Sequence, residues 1–302
     1  MTALNNKIDF AVIVCVNNAN PNGDPLNGNR PRVTYDGFGE LSDVSIKRKI
    51  RNRLMEMGHS IFVQSDDNRV DDYRSLRSRA EGMLKNVDPR DDKKYREAAC
   101  KQWFDVRAFG QVFAYSGGGK KGKKKEGAEA EEGGDASGVS IGIRGPVSVH
   151  PAFSVAPVLD RVSSIQITKS VSGEGDGTKR ASDTMGMKHR VDHGVYVFYG
   201  GMNPQLATRT GFSDKDADAI KEALKTLFRN DASSARPEGS MEVYKVYWWA
   251  HNGPNGQYSS AKVHRLLDVR VKPDVGEPKS IEDYAITLKK LSDLACEEID
   301  GE

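Results

Sequence analysis

The 302-residue chain carries 45 Lys and Arg against 43 Asp and Glu, a net charge of +2, and is long enough for one large domain or two ordinary ones. Hydrophobic residues make up 37%, but no apolar run approaches the ~20 residues that span a bilayer, which excludes membrane integration. So small a net charge also excludes a strong whole-molecule field, and any anion-binding surface has to come from where the charges sit.

The chain opens with MTALNNKIDFAVIVCV, where only Lys7 precedes a short apolar run that lacks a small-residue cleavage site. The segment therefore reads as a first strand rather than a signal peptide. Lys7 to Asn17 is rich in β-branched residues and suits a central strand buried on both faces. Cys15, Cys100 and Cys296 are odd in number, dispersed and without a CxxC, which argues against a disulfide framework and a zinc site. A reduced, cytoplasmic protein is expected.

The strand runs into NANPNGDPLNGNRPR, where Pro21, Gly23, Pro25, Gly28 and Pro31 forbid a helix and require a turn-rich loop, either ordered or flexible. From there the period changes. Ile46, Ile50, Leu54 and Met57 recur at helical spacing, Ser42 can act as N-cap and Asp43 favours the positive end of the dipole, which predicts a helix over about 43–57. The other face of that helix carries Lys47, Arg48, Lys49, Arg51 and Arg53. The window from Arg30 to Arg53 holds seven basic and three acidic residues, a net +4.

Residues 67–103 are polar and helix-prone with weak apolar periodicity, and read as a small helical excursion divided at Pro89. Residues 116–138 contain no aromatic or branched aliphatic residue, five Lys preceding five acidic residues, and are expected to form a mobile loop. Strand patterns return in VSIGIRGPVSVHPAF, SSIQITKSV, DHGVYVFYGGM and MEVYKVYWWAH. Between the last two, Ser213 and Asp214 open a helix with the apolar set Ala217, Ile220, Leu224, Leu227 and Phe228. This is the α+β order of a ferredoxin-like βαββαβ sheet interrupted by inserts. The tail over 280–299 is read as an amphipathic helix with an acidic excess.

Two constellations carry chemistry. Lys47 and Arg51 lie one helical turn apart beside Arg48, so these cations can follow a phosphate backbone, the alternative being an ordinary solvated face. Arg30 and Arg32 arrive from the loop that also holds Asn20 and Asn22, whose glycines let backbone N–H groups approach an anion. In residues 170–190, Gly173, Gly175 and Gly177 form a tip, while Lys179, Arg180, Lys188, His189 and Arg190 surround Met185 and Met187, with Lys169 on the approach. A hairpin of this kind can wedge between stacked bases while holding phosphates, or its methionines can be gap filling.

Catalytic patterns fail on spacing. GGGKKGKKK lacks P-loop order, His189 and His193 bring no carboxylate or thiolate ligand, and there is no GxSxG or HExxH. Asp24 could align an RNA 2′-hydroxyl for cleavage, but it equally suits a turn. No catalytic residue, metal or cofactor is expected.

NPNGDPLNGNRPR followed by SDVSIKRKIR, WFDVRAFGQVF and IRGPVSVHPAFS resembles the backbone subunit of type I CRISPR Cascade, RAMP superfamily, most closely the type I-C version. The resemblance spans most of the chain. It implies a modified RNA-recognition-motif palm (1–66, 139–160 and 191–302, ending in a C-terminal helix), helical fingers (67–115) and a thumb β-hairpin (161–190). It implies CRISPR RNA as partner, with copies of the chain joined head to tail along it, other Cascade subunits at the filament ends and target DNA reached through the guide. Ser42, Ser45, Lys47, Arg48 and Arg51 match positions on the helix that lies along the RNA, and Met185 to Arg190 match the thumb tip that displaces a base. Related type III subunits cut target RNA with a loop aspartate, for which Asp24 is the counterpart. The first strand departs from ordinary RNA-recognition motifs, since IDFAVIVCV offers aliphatic residues where stacking rings would sit, so contact through loop and helix cations is expected.

Overall fold

The computed structural model describes residues 2–115, 139–168 and 185–302, with Thr168 and Met185 described by backbone alone. The expected loop at 116–138 and the glycine tip of the thumb lie outside the described residues. β1 (Ile8–Ala19) is buried on both faces because alternate side chains feed two cores: Phe10, Val12 and Val14 enter one, Ala11, Ile13 and Cys15 the other. The proline- and glycine-rich loop is ordered. It forms a hairpin of β2 (Gly23–Asp24) and β3 (Arg30–Pro31) closed by a 3-10 turn over Pro25–Asn27, and Gly28 follows that turn at φ 58°, ψ 29°, where a Cβ is disfavoured.

β4 (Phe38–Leu41) leads into α1 (Asp43–Glu56), whose N-cap Ser42 accepts a hydrogen bond from Ser45 N–H at 3.2 Å. Ile46, Ile50 and Leu54 are fully buried. At about 1.5–3 kcal/mol per buried aliphatic side chain, this stripe holds α1 to the sheet more strongly than helix propensity does.

The excursion consists of α2 (Leu76–Met83), α3 (Asp92–Gln102) and α4 (Phe104–Phe109), followed by β5 (Gly110–Tyr115) and β6 (Val139–Arg144). These elements enclose their own core, with Phe62, Tyr95, Trp103, Phe113 and Ile141 at its centre. Apolar periodicity is weak in the helices because part of that core, Phe113, Ile141 and Ile143, comes from the β5–β6 hairpin. The sequence pattern places the start of a palm strand at residue 139, but β6 pairs with β5 along its length and turns Ile141 and Ile143 into the excursion's core. Palm pairing starts at β7 (Val147–Val149) and β8 (Ala152–Pro157).

After β9 (Val162–Thr168) comes β10 (Met185–Met202), then α5 (Pro204–Thr210), α6 (Asp214–Lys225) and β11 (Met241–Ala250). The chain closes with α7 (Ser260–His264), β12 (Leu267–Val271), β13 (Tyr284–Leu288) and β14 (Glu297–Asp300). The central sheet runs β14-β11-β1-β10-β8-β4. Its inner part, β11-β1-β10-β8, has the antiparallel order of the split βαβ unit expected from the sequence, with α1 connecting toward β8 and α6 joining β10 to β11. Both helices pack on one face, where Ala217, Ile220 and Leu224 join the α1 stripe. The other face is roofed by the β12–β13 hairpin and α7 through Val263, Leu266, Leu267 and Tyr284.

The expected C-terminal helix is absent from the described residues. Tyr284, Ile286 and Leu288 turn inward while Ala285 and Thr287 are exposed, a period of two that serves β13, and the acidic end adds β14 to the sheet edge beside β11.

Under the roof, fully buried Asp9 lies 2.9 Å from both Lys7 Nζ and His251 Nε2, and His264 Nε2 donates to Gly200 O at 3.1 Å. His59, His193 and His264 all titrate below the ordinary 6.5, chiefly because burial disfavours the imidazolium. Below pH 6.5 the unfolded chain therefore binds more protons than the folded one. Their contribution to stability is intact above 6.5 and is lost as the pH falls through it toward the folded-state values. Lys49, pushed down to about 8 by burial, titrates above this window. The melting temperature is expected to rise only slightly from about pH 7 to 8, as folded Lys49 begins to lose its proton, and to fall by several degrees by about pH 5.5, before most carboxylates protonate. Fluorimetric melts across that range check it, and His264→Gln should flatten the slope.

Candidate nucleic-acid interface

Short polar side chains lock the β2–β3 hairpin to the start of α1. Asn20 Nδ2 donates to Asn29 O at 2.7 Å, and Asn22 Oδ1 accepts from Ser42 N–H at 2.9 Å, so the residue that caps α1 is itself held by the loop. Asn20 and Asn22 therefore position the junction. Asp24 caps the 3-10 turn, its Oδ1 accepting from Leu26 N–H at 3.2 Å and lying 3.6 Å from Arg32 Nη2. The turn role available to Asp24 in the sequence is the one its carboxylate performs here.

Most α1 cations are already answered by carboxylates. Lys47 pairs with Asp43 at 2.9 Å one turn away, Lys49 is buried against Asp231, and Arg53 pairs with Glu56. Arg51 Nε lies 2.9 Å from Asp105, whose carboxylate is 1% exposed and also accepts from Phe62 and Val63 N–H at 2.7 and 3.0 Å. This corrects the expected ridge of Lys47, Arg48 and Arg51. Arg51 turns toward α4 because a buried carboxylate requires a counter-charge, and Lys47 is neutralised within its own helix.

Among the described residues, Arg48 is the α1 cation without a carboxylate partner; its Nη1 donates to Val63 O at 3.2 Å. Burial, and then the neighbouring Arg51, hold its guanidinium below its ordinary value. Asp67, in the same cleft, and Asp105 act on it in the opposite sense without forming an ion pair with it, so Arg48 stays cationic and half-desolvated and can accept an added anion.

Arg48 stands with Ser45 and Asn52, at helical spacings of three and four, on one wall of a cleft of about 310 Å³. Pro21 to Gly23 form its rim, and Ser65, Asp67, Asn68, Asn230 and Arg236 complete the lining. Asp231, also in the cleft, is committed to Lys49 and Arg236. Sequence reasoning missed Asn52, although its place four residues after Arg48 could have found it. The residues at 65–68 and 230–236 arrive by tertiary folding and left no sequence signal.

The thumb meets this region at its base. Arg30 Nη1 donates to Ser164 Oγ at 3.4 Å, and that oxygen lies 2.7 Å from His189 Nδ1. Met187 is 53% exposed, Lys188 is half-buried, and Arg190 Nε lies 3.6 Å from Asp192. Met185 to Arg190 are not the tip expected from the sequence. They form an arm of the hairpin, paired with β9 from Met185↔Thr168 to Arg190↔Ser163, because they extend the central strand β10 without a break. Lys169, Lys179 and Arg180 lie outside the described residues.

A guanidinium with hydroxyl and amide groups, and no aromatic ring among the described cleft residues, can hold phosphate and sugar without reading a base. A family model for CRISPR-associated protein Cas7 matches residues 6–289. A CRISPR-associated protein Cas7 of Haloferax volcanii is 27% identical over 302 residues, covering 96% of this chain and 83% of the relative. Among solved structures, a chain of a CRISPR RNA-guided surveillance complex in a pre-nicking state is similar at a TM-score of 0.44 and 15% identity, covering 90% of this chain and 84% of that one. A second, from a CRISPR RNA-guided surveillance complex, has a TM-score of 0.37 and 18% identity, covering 80% and 68%.

Proposed function

Because the chain belongs to the Cas7 family of CRISPR-associated proteins, we propose that it is a non-catalytic subunit that binds CRISPR RNA. On this reading, copies join head to tail along one guide in the cytoplasm as the backbone of a type I-C surveillance complex. Other Cascade subunits bind the filament ends, and the spacer is presented for pairing with target DNA. The observation that carries the reading is the unpaired Arg48, aligned with Ser45 and Asn52 on a cleft without rings among its described residues. Such a surface grips the backbone and leaves base edges free, as a guide carrier requires.

Chain purified from cells that express a CRISPR array should show an absorbance ratio at 260 and 280 nm typical of a ribonucleoprotein and release RNA of guide length. It should bind guides of unrelated spacer sequence equally, and less tightly as salt rises. RNA-free material that binds neither guide overturns the reading. Complementary target RNA incubated with the assembly and a divalent metal should stay intact; cleavage abolished by Asp24→Ala would replace a carrier with an endoribonuclease.

A further inference from the structure

On the face of the sheet opposite α1, Tyr247 and Trp249 of β11 are buried under the roof, but Tyr199 of β10 lies at the roof's rim and is half-buried. Its ring stacks on His264 of α7, centroids 4.9 Å apart and planes 28° apart. Phe153 of β8, 43% exposed, borders the same depression. Two hollows of about 320 and 420 Å³ adjoin there and share Tyr199, Leu267 and Asp268. Asp268 is paired with Arg270 at 2.9 Å, which answers the one carboxylate lining them. Arg265 and Lys289 line the first hollow, are exposed, and have no carboxylate partner among the described residues.

The exposed Phe153 ring and the half-buried Tyr199 ring, beside two uncompensated cations, are complementary to a ligand that alternates flat rings with negative charge. We propose that this rim binds an unpaired strand of nucleic acid, with a base over Phe153 and the Tyr199–His264 pair and adjacent phosphates at Arg265 and Lys289. A duplex hides its base faces inside the stack, so rings at this rim select a single strand. An acidic peptide would engage the cations and leave the rings idle. The site is separate from the α1 cleft, since the two lie on opposite faces of the sheet.

The experiment titrates guide-loaded protein, its α1 cleft occupied, with labelled oligodeoxyuridylate, oligouridylate and an abasic strand of equal length, read by fluorescence anisotropy. The base-bearing strands should bind more tightly than the abasic one, and whichever of the two binds better assigns the strand as DNA or RNA. Phe153→Ala should bring them down to the abasic level. Arg265→Ala with Lys289→Ala should weaken all three by about tenfold and reduce the salt slope by about 1.4, two phosphates' worth for a single strand. These side chains are exposed, so unchanged melting temperatures confirm that the fold persists. Equal binding of all three strands would reduce the rim to a polyanion patch and overturn the proposal, as would binding indifferent to both variants. RNA-free chain carrying Arg48→Glu gives the same readout with the α1 cleft silenced, so a failure of the guide-binding reading does not obscure the result.

Discussion

Asp105→Ala is expected to destabilise the fold by about 3–5 kcal/mol, the cost of breaking a buried ion pair from one side. Asp105 sits on α4 and holds together three segments: it accepts from the backbone of Phe62 and Val63 and from Arg51 of α1. Its removal leaves two backbone donors unpaired and strands the Arg51 guanidinium, which is 13% exposed. Arg51→Ala should cost a comparable amount by leaving the carboxylate alone, and it also loses the stacking of Arg51 over the Phe109 ring at 5.1 Å. Because the two residues share one interaction, the double variant should be less destabilised than the sum of the singles. Urea denaturation of all three checks this, and a loss under ~1 kcal/mol for Asp105→Ala would show that the pair is dispensable. Reduced RNA binding by an Arg51 variant accordingly reports a loosened junction between α1 and the excursion, not a lost phosphate contact.

Arg48→Glu is expected to reduce guide affinity by roughly a hundredfold, and Arg48→Ala by roughly tenfold, with melting temperatures close to the parent. A charge-assisted hydrogen bond is worth about 1.5–3 kcal/mol, and the carboxylate adds repulsion from the phosphate. The loss should be the same for unrelated spacers, and the alanine variant should lower the salt slope by about one phosphate. Lys47→Ala should have a smaller effect, since Asp43 already offsets that charge. Filter binding at two salt concentrations separates these outcomes. Unchanged affinity in a folded Arg48→Glu variant removes α1 from the interface.

Several features are legible in the amino-acid pattern alone. The run from Ala11 to Val16 is apolar at every position, which suits a strand buried on both faces and little else, and each of these side chains is indeed buried. Ser42, Ile46, Ile50 and Leu54 mark the start and inner stripe of α1, and Ser213 with Ala217, Ile220 and Leu224 do the same for α6. Those patterns are local, and local stereochemistry answers them. The tail misleads because Tyr284, Ile286 and Leu288 are few enough to fit a helical face as well as a strand, and only the presence of β12 alongside selects the strand.

The βαββαβ order, the N-cap of α1 and the concentration of positive charge between Arg30 and Arg53 are thus properties of the linear chain. Which of those charges is available to a ligand is a property of long-range packing. Asp231 and Asp105, distant in sequence, reach Lys49 and Arg51, while Arg48 meets a carbonyl and is left without an ion pair among the described residues. Helix periodicity places a side chain on a face, whereas the neutralisation of its charge depends on residues that the folded chain brings within a few ångströms.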